Sequence, residues 1–167
     1  MMAERWQDML AIGQVLARYC RGIDRLDAEL LASTFWPDSF DSHGLFEGGR
    51  EGFIAWVIPA MQNHYALTQY SLGQSYYEFR DDQAAVETHF TGKGWGLGGQ
   101  PDLFGMLCGR YADLFEKRAG EWRILRRTVI YDGSATCQST DLGFNHIAGV
   151  RSEDDVSYHI FEAVSGH

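Results

Sequence analysis

The spacing of apolar residues divides the chain into a helical first part and an extended second part. Near the start, an apolar residue recurs every three or four positions at Met9, Ile12, Leu16, Tyr19 and Ile23. This spacing predicts an amphipathic helix over roughly residues 4–21, with its apolar stripe buried against the rest of the protein.

Two further helices and a short strand are predicted next. Asp27 is placed to cap a short second helix, because its carboxylate can accept the unpaired N–H groups of the first turn, and Pro37 should end that helix. A short strand around residues 40–46 then leads into a third helix over roughly residues 50–63. Pro59 lies inside this third helix and should kink it or end it early.

Four long extended segments follow and predict an antiparallel sheet. They cover roughly residues 66–80, 83–97, 104–118 and 121–132. Turn-forming residues separate them at Asp81–Asp82, in the glycine-rich stretch 92–101 and at Ala119–Gly120. Helices followed by a meander of strands make an α+β fold.

The remaining residues, 133–167, are weakly periodic and carry Phe144, Tyr158 and Phe161 as large apolar groups. We expect an ordered tail or lid that belongs to the same domain as residues 1–132.

Composition limits the classes of function. With 167 residues the chain is long enough for one ordinary domain, and 14% of it is aromatic, enough for rings to line a cavity as well as a core. The net charge of −9, without any basic run, argues against nucleic acid as a partner. The longest apolar stretch, residues 53–61, is far shorter than the ~20 residues of a membrane span. The start has no basic segment followed by an apolar one, so we expect no secretory signal and a cytoplasmic location.

Metal and cofactor chemistry has little support in the sequence. Four of the histidines, at positions 43, 64, 89 and 146, are scattered without metal-ligand spacing. The three cysteines are widely spaced, which argues against a disulfide framework or a zinc site. No G-x-S-x-G, Walker or dinucleotide-binding motif is present, so we expect neither a metal nor a cofactor.

Asp24 is the residue that packing and capping do not explain. It follows the predicted first helix, where Asp27 already has a capping role. A carboxylate held where an aromatic helix end meets a cavity would lose solvent, which raises its pKa towards values useful for removing a proton. The alternative is a solvated loop aspartate paired with Arg21 or Arg25, because structural ion pairs are commoner than catalytic ones.

The segment 18–27 resembles the end of the first helix in the SnoaL-like branch of the nuclear transport factor 2-like superfamily. This branch includes scytalone dehydratase, hexachlorocyclohexane dehydrochlorinase and polyketide cyclases. Residues 68–73 resemble the T-Q-H-x-x-G strand of the dehydratase, residues 84–90 the next strand, and residues 109–124 the last hairpin. The resemblance covers roughly residues 5–132. It implies a cone-shaped roll in which a strongly curved, mostly antiparallel sheet and three N-terminal helices enclose a pocket.

The resemblance also implies a site, with one central difference. In the dehydratase and the dehydrochlorinase, an aspartate after the first helix orients a histidine that removes a proton from the substrate. Asp24 matches that aspartate, but Tyr70 stands at the histidine position, and His89 matches a strand histidine that is not catalytic. Two more polar pocket groups of the dehydratase are replaced, by Ile23 and near Trp95. Because the unperturbed pKa of tyrosine is about 10, Tyr70 cannot act as imidazole does near pH 7.

Two functions therefore remain open. In the first, the protein is a lyase, cyclase or isomerase in which Asp24 is the general base and Tyr70 donates a hydrogen bond to a carbonyl or leaving oxygen. In the second, the pocket only binds a small hydrophobic or aromatic molecule, and the contact between Asp24 and Tyr70 is structural. A buried Asp24 without an arginine partner would favour catalysis.

Side-chain type suggests a lining for a compact ring compound from Tyr19, Phe53, Trp56 and Trp95. Scytalone dehydratase and the dehydrochlorinase are trimers and other members of the superfamily are dimers, so the resemblance implies a trimer or a dimer. Strand alternation here also puts part of the apolar surface outside the cone. We therefore expect a homo-oligomer, with the C-terminal tail packing on or near the pocket as it does in the dehydratase.

Overall fold

The computed structural model describes residues 5–165, which form four α-helices and one six-stranded mixed sheet. The helices are α1 (Trp6–Arg25), α2 (Ala28–Ala32), α3 (Arg50–His64) and α4 (Val156–Ser165). The strands are β1 (Phe35–Ser42), β2 (Glu47–Gly49), β3 (Leu67–Arg80), β4 (Gln83–Trp95), β5 (Leu103–Arg118) and β6 (Glu121–Gln138).

The sheet confirms the predicted α+β arrangement. Its strand order is β2-β1-β6-β5-β4-β3, and within the described residues β1 and β6 are the one parallel pair. The two tight hairpins lie where the turn residues predicted them. Asp81 has a φ of 50°, and Ala119 and Gly120 have φ values of 51° and 87°, so both turns use the left-handed backbone that suits a twisted hairpin.

Helix α1 lies with its apolar stripe against the sheet, as its spacing predicts. Ile12, Leu16 and Ile23 are almost fully buried. The helix is longer than predicted, because it continues to Arg25 and is closed by Leu26 in the left-handed conformation (φ 55°). Asp24 therefore lies in the last helical turn rather than in a loop after it.

The second helix is capped as predicted but ends sooner. The Asp27 carboxylate accepts a hydrogen bond from the Leu30 N–H at 2.9 Å. The helix stops at Ala32, and Phe35 begins β1, so the expectation that Pro37 ends the helix is wrong. Pro37 instead lies inside β1, in a stretch where the register with β6 is interrupted between Phe35 and Phe40. Its missing N–H therefore interrupts no regular series of hydrogen bonds between the two strands.

Helix α3 continues through Pro59 to His64 and does not end early. Its inner face buries Phe53 and Val57, whereas Pro59 is exposed. The packing of that inner face evidently outweighs the local cost of a proline within the helix.

The last strand and the tail differ most from expectation. Strand β6 extends six residues past position 132, because the first part of β5 offers it a partner down to the pair Leu103 and Gln138. The tail beyond Gln138 includes the helix α4, which weak periodicity did not predict. Within residues 5–165, no helix combines the length and the apolar character needed to cross a membrane.

Candidate functional site

A partly enclosed cavity lies between the C-terminal ends of α1 and α3 and the inner face of the sheet. Its volume is about 90 Å³. Six ring side chains contribute to its wall: Tyr19, His43, Trp56, Tyr65, Tyr70 and Tyr131. Ligand pockets usually measure about 300–1,000 Å³, so a ring compound requires wall side chains such as the flexible Met61 to move aside.

Two glycines of β4 shape the cavity wall. A Cβ atom at Gly92 would lie 3.1 Å from the ring of Tyr70, and one at Gly94 would lie 2.2 Å from the ring of Tyr65. Both rings therefore lie directly against backbone that carries no side chain. The sequence placed these glycines in a turn, but they belong to β4 and let two tyrosines approach the sheet.

Asp24 is held next to this wall by β3. Its Oδ1 and Oδ2 atoms accept hydrogen bonds from the backbone N–H of Tyr70, at 3.2 and 3.1 Å. The carboxylate lines an open groove beside the cavity, between α1 and β3, and Tyr70 borders both spaces. Asp24 thus contacts Tyr70 through the main chain rather than through the phenol.

The arginines near Asp24 have other partners. Arg25 pairs with Asp155 at 3.2 Å, and the guanidinium of Arg21 lies 5.1 Å from the ring centre of Tyr158. Within residues 5–165, no ion pair includes Asp24. This is the arrangement that favours a catalytic role over a structural ion pair.

Burial raises the pKa of Asp24 from 3.8 to about 6, although hydrogen bonds from Tyr70 and Thr68 and the charge of Arg25 oppose the rise. Burial also raises the pKa of Tyr70 above its usual value of 10. Asp24 is therefore suited to take up a proton near neutral pH, and Tyr70 stays a neutral hydrogen-bond donor.

A second polar group, which the sequence analysis did not select, lines the cavity itself. His43 follows β1, and its Nδ1 contacts the buried Oδ1 of Asp41. Its Nε2 lies 3.2 Å from the Tyr19 hydroxyl. A signal was present, because side chains two residues apart on a strand share a face, and the predicted strand 40–46 already held both Asp41 and His43.

The four predicted lining residues do not all reach the cavity. Tyr19 and Trp56 line it. Phe53 is fully buried one layer behind, with its ring centre 4.7 Å from that of His43. Trp95 alternates with the inward-facing Gly94 and so lies on the other face of β4, against Phe104 at 5.1 Å.

The tail reaches the site through Arg151 and through the aromatic rings of Tyr158 and Phe161, which pack on Arg21 at the groove. The guanidinium donates to the Tyr65 main-chain oxygen at 2.7 Å and to the Thr68 hydroxyl at 3.3 Å. Phe144 is 65% exposed and Phe161 is 56% exposed, with Phe161 packing against Arg21. The described part of the tail therefore contacts a cavity-lining segment through Arg151 and the groove through its packing on Arg21.

Metal binding finds no geometric support in the part of the chain that the structure describes. Nowhere in it do three or more His, Cys, Asp or Glu side chains converge in a way that could hold an ion. The site consists of carboxylate, imidazole and phenol groups around an aromatic cavity.

A cone formed by a curved mixed sheet and helices around such a cavity defines the class of nuclear transport factor 2-like proteins. Within that class the chain belongs to the SnoaL-like domain family, which matches residues 4–128. No curated protein matches the sequence.

Solved structures resemble this one in fold. A candidate scytalone dehydratase from Novosphingobium aromaticivorans is 20% identical over 87% of this chain and 100% of its own, with a TM-score of 0.72. A type 2 hexachlorocyclohexane dehydrochlorinase is 18% identical over 87% of this chain and 98% of its own, with a TM-score of 0.72. The type 3 dehydrochlorinase from Novosphingobium barchaimii is 17% identical over 89% and 99%, with a TM-score of 0.73. At these identities the likeness establishes the shared fold.

Proposed function

We propose that the protein is a lyase, isomerase or cyclase that transfers a proton on a small hydrophobic or aromatic molecule, with Asp24 as the general base. The observation that supports this most directly is a largely buried carboxylate without an ion-pair partner among residues 5–165, beside an aromatic cavity. Its pKa of about 6 leaves it ionised at neutral pH yet basic enough to accept a proton from carbon.

Tyr70 contributes to this chemistry through both its main chain and its side chain. The N–H of Tyr70 fixes the carboxylate, so the base does not have to be oriented at each turnover. The phenol of Tyr70 lines the cavity and stays protonated, so it can donate a hydrogen bond to a carbonyl or leaving oxygen. The ring separates the groove from the cavity, so a substrate reaches Asp24 when the Tyr70 ring shifts.

The proposal can be tested with 5-nitro-1,2-benzisoxazole, a small aromatic compound that opens when a base removes its ring C–H proton. The product phenolate is coloured, so turnover is followed by absorbance. We expect wild-type kcat/KM to rise with pH through about 6, as Asp24 ionises. Asp24→Asn should lose about 10²-fold or more. Tyr70→Phe keeps the main-chain N–H contact and should lose no more than one hydrogen bond to a developing charge, ~2 to 4 kcal/mol.

Full activity in Asp24→Asn would end the assignment of this base. Total loss in both variants would mean that Tyr70 itself transfers the proton. The variant Asp27→Asn is a matched control, since it changes another aspartate next to α1 that is occupied in capping α2.

A non-catalytic binder is the second candidate, and one contact favours it. Both oxygens of Asp24 already accept the same N–H of Tyr70, which would suffice for an anchor between α1 and β3. A binder would retain a small molecule that native mass spectrometry detects equally in wild type and Asp24→Asn, without any turnover of the benzisoxazole.

Assembly as a homo-oligomer remains a prediction. Tyr76 is 65% exposed on β3, and a shallow depression next to it on β4 and β5 offers apolar surface for a second copy. Light scattering that gives a particle of 18.9 kDa at micromolar concentration would exclude it.

A further inference from the structure

The cavity holds a second proton-carrying group on the wall opposite β3. His43 and Asp41 come from the end of β1, and both side chains are buried, with 9% and 0% exposure. The turn that carries them is firmly held. The His43 N–H donates to the Phe46 oxygen at 2.8 Å, and the Tyr131 hydroxyl donates to the His43 oxygen at 3.2 Å.

The contacts of His43 define which nitrogen carries the proton. A carboxylate only accepts hydrogen bonds, so Asp41 requires a proton on Nδ1. In the neutral ring Nε2 is then an acceptor, and the Tyr19 hydroxyl donates a hydrogen bond to it. Burial raises the pKa of Tyr19 well above 10, so this phenol stays protonated. When the ring gains a second proton, Nε2–H becomes a donor at the cavity wall.

Among residues 5–165, the hydrogen-bond partner of the Asp41 carboxylate is His43. The Oδ2 atom of Asp41 is buried and has no hydrogen-bond partner among residues 5–165. The nearby cation, Arg127, lies over the Tyr19 ring at 4.1 Å but pairs with Asp113 at 2.7 Å, so its charge is matched by a different carboxylate. An unshared buried carboxylate beside an imidazole fixes the orientation of the ring and its tautomer.

We propose that His43, oriented by Asp41, is a second catalytic residue that acts as the general acid of this cavity. The proposal rests on the proposed function, because an elimination involves two proton transfers and Asp24 supplies only the base. His43 lines the cavity, and Asp24 lies in the groove on the other side of the Tyr70 ring, so both groups can reach a bound molecule once that ring shifts.

The step balances without any further reactant. Asp24 takes the proton from carbon, and the C–H electron pair forms the new π bond. The bond to the leaving oxygen breaks, and its electron pair stays on that oxygen. The Nε2–H of protonated His43 gives its proton to the oxygen, so a neutral group departs. Afterwards Asp24 holds one proton more and His43 one fewer, and exchange with water restores both.

Activity measured on two benzisoxazoles distinguishes the role of the acid, His43, from that of the base, Asp24. The 5-nitro compound releases a weakly basic phenolate that needs little protonation, whereas unsubstituted 1,2-benzisoxazole releases a more basic one that benefits from an acid. We expect His43→Gln to lose less than about 10-fold on the nitro compound and about 10²-fold or more on the unsubstituted one. Asp24→Asn should lose similar factors on both, and His89→Gln on β4 is the matched control.

The outcomes of this assay are distinct. Equal activity of His43→Gln and wild type on both compounds, with Asp24→Asn inactive, would overturn the acid and leave the base intact. Loss in His43→Gln alone, with Asp24→Asn active, would overturn the proposed base and with it the division of roles argued here. A wild type no faster than the double variant Asp24→Asn/His43→Gln would overturn both.

A spectroscopic measurement keeps the inference testable if His43→Gln folds poorly. In wild type, ¹⁵N NMR should show the neutral ring of His43 with its proton on Nδ1, and Asp41→Asn should lose that preference. Adding indazole, an unreactive analogue of the benzisoxazoles, should shift the Nε2 resonance of His43 but not the resonances of His89. An unchanged His43 spectrum in the presence of bound indazole would contradict contact between the ring and the ligand.

Discussion

Replacing Asp24 with asparagine should stabilise the protein above about pH 6 and change its stability little near pH 4. Burial raises the pKa of this carboxyl from 3.8 to about 6 on folding. The folded protein therefore holds the proton more tightly than the unfolded chain does. This contribution to stability is fully present below 3.8 and is lost as the pH rises through about 6.

The expected size follows from the two pKa values. Each pH unit of separation is worth about 1.4 kcal/mol, so a rise from 3.8 to about 6 corresponds to about 3 kcal/mol. Partial solvent access makes this an upper limit. Asparagine carries no charge at any pH and keeps an oxygen for the Tyr70 N–H, so it removes this cost without removing the anchor.

Urea denaturation at several pH values between 4 and 8 measures the effect as the difference in the free energy of unfolding between the two proteins. Asp155→Asn is a control that should change the free energy of unfolding in the opposite direction. Hydrogen bonds from Ser157 and from the Val150 N–H lower the pKa of Asp155 to about 2. Its stabilising contribution is therefore present at neutral pH and is lost as the pH falls through about 2, so this variant should be less stable than wild type at pH 7.

Two results would refute the reasoning about Asp24. One is an Asp24→Asn variant that is no more stable than wild type at pH 8. The other is a stability difference that stays constant with pH, because a charge that is costly only when ionised cannot act equally at every pH.

Three further predictions follow from packing and charge. Gly94→Ala should displace the ring of Tyr65 from the cavity wall, since the new Cβ would lie 2.2 Å from it; Tyr65→Ala in the same chain should restore the lost stability in thermal melts. Asp113→Asn should destabilise the fold by ~3–5 kcal/mol in urea, because it leaves the charge of Arg127 buried and unpaired. Deleting residues 139–167, after β6 ends, should lower the melting temperature and weaken indazole binding, and unchanged values would make the tail a passive extension.

The sequence predicted the order of the elements because helices and strands leave two different spacings of apolar residues along the chain. The stripe of α1 and the turn residues between the long strands are local signals, and the structure confirms them. The extension of β6 to Gln138 and the passage of α3 through Pro59 were not predictable in this way. Both depend on partners distant in sequence. The first depends on pairing with the beginning of β5, and the second on the packing of Phe53.

Only part of the candidate site could be predicted from the sequence, for the same reason. The absence of a capping or packing role selected Asp24, and resemblance to a family added Tyr70, so both pointed to the wall formed by α1 and β3. His43 was set aside because its spacing to other histidines was uninformative, although its relevant partner was Asp41. What gives His43 a function is a carboxylate on one side and a cavity on the other, and only the folded sheet supplies the cavity.

The stability cost of Asp24 also bears on the choice between enzyme and binder. An anchor between α1 and β3 requires one acceptor for the Tyr70 N–H, and asparagine would provide it without a buried charge. A carboxylate at this position lowers stability at neutral pH and, within residues 5–165, has no ion pair to offset the cost. Residues that oppose stability in this way are concentrated at functional sites, where the property that destabilises the fold is the one that the chemistry uses. A raised pKa is of no use to an anchor, but it is what a general base requires. Asp24→Asn should therefore separate the two functions in one protein, with higher stability at pH 8 accompanying lost turnover in an enzyme and unchanged ligand retention in a binder.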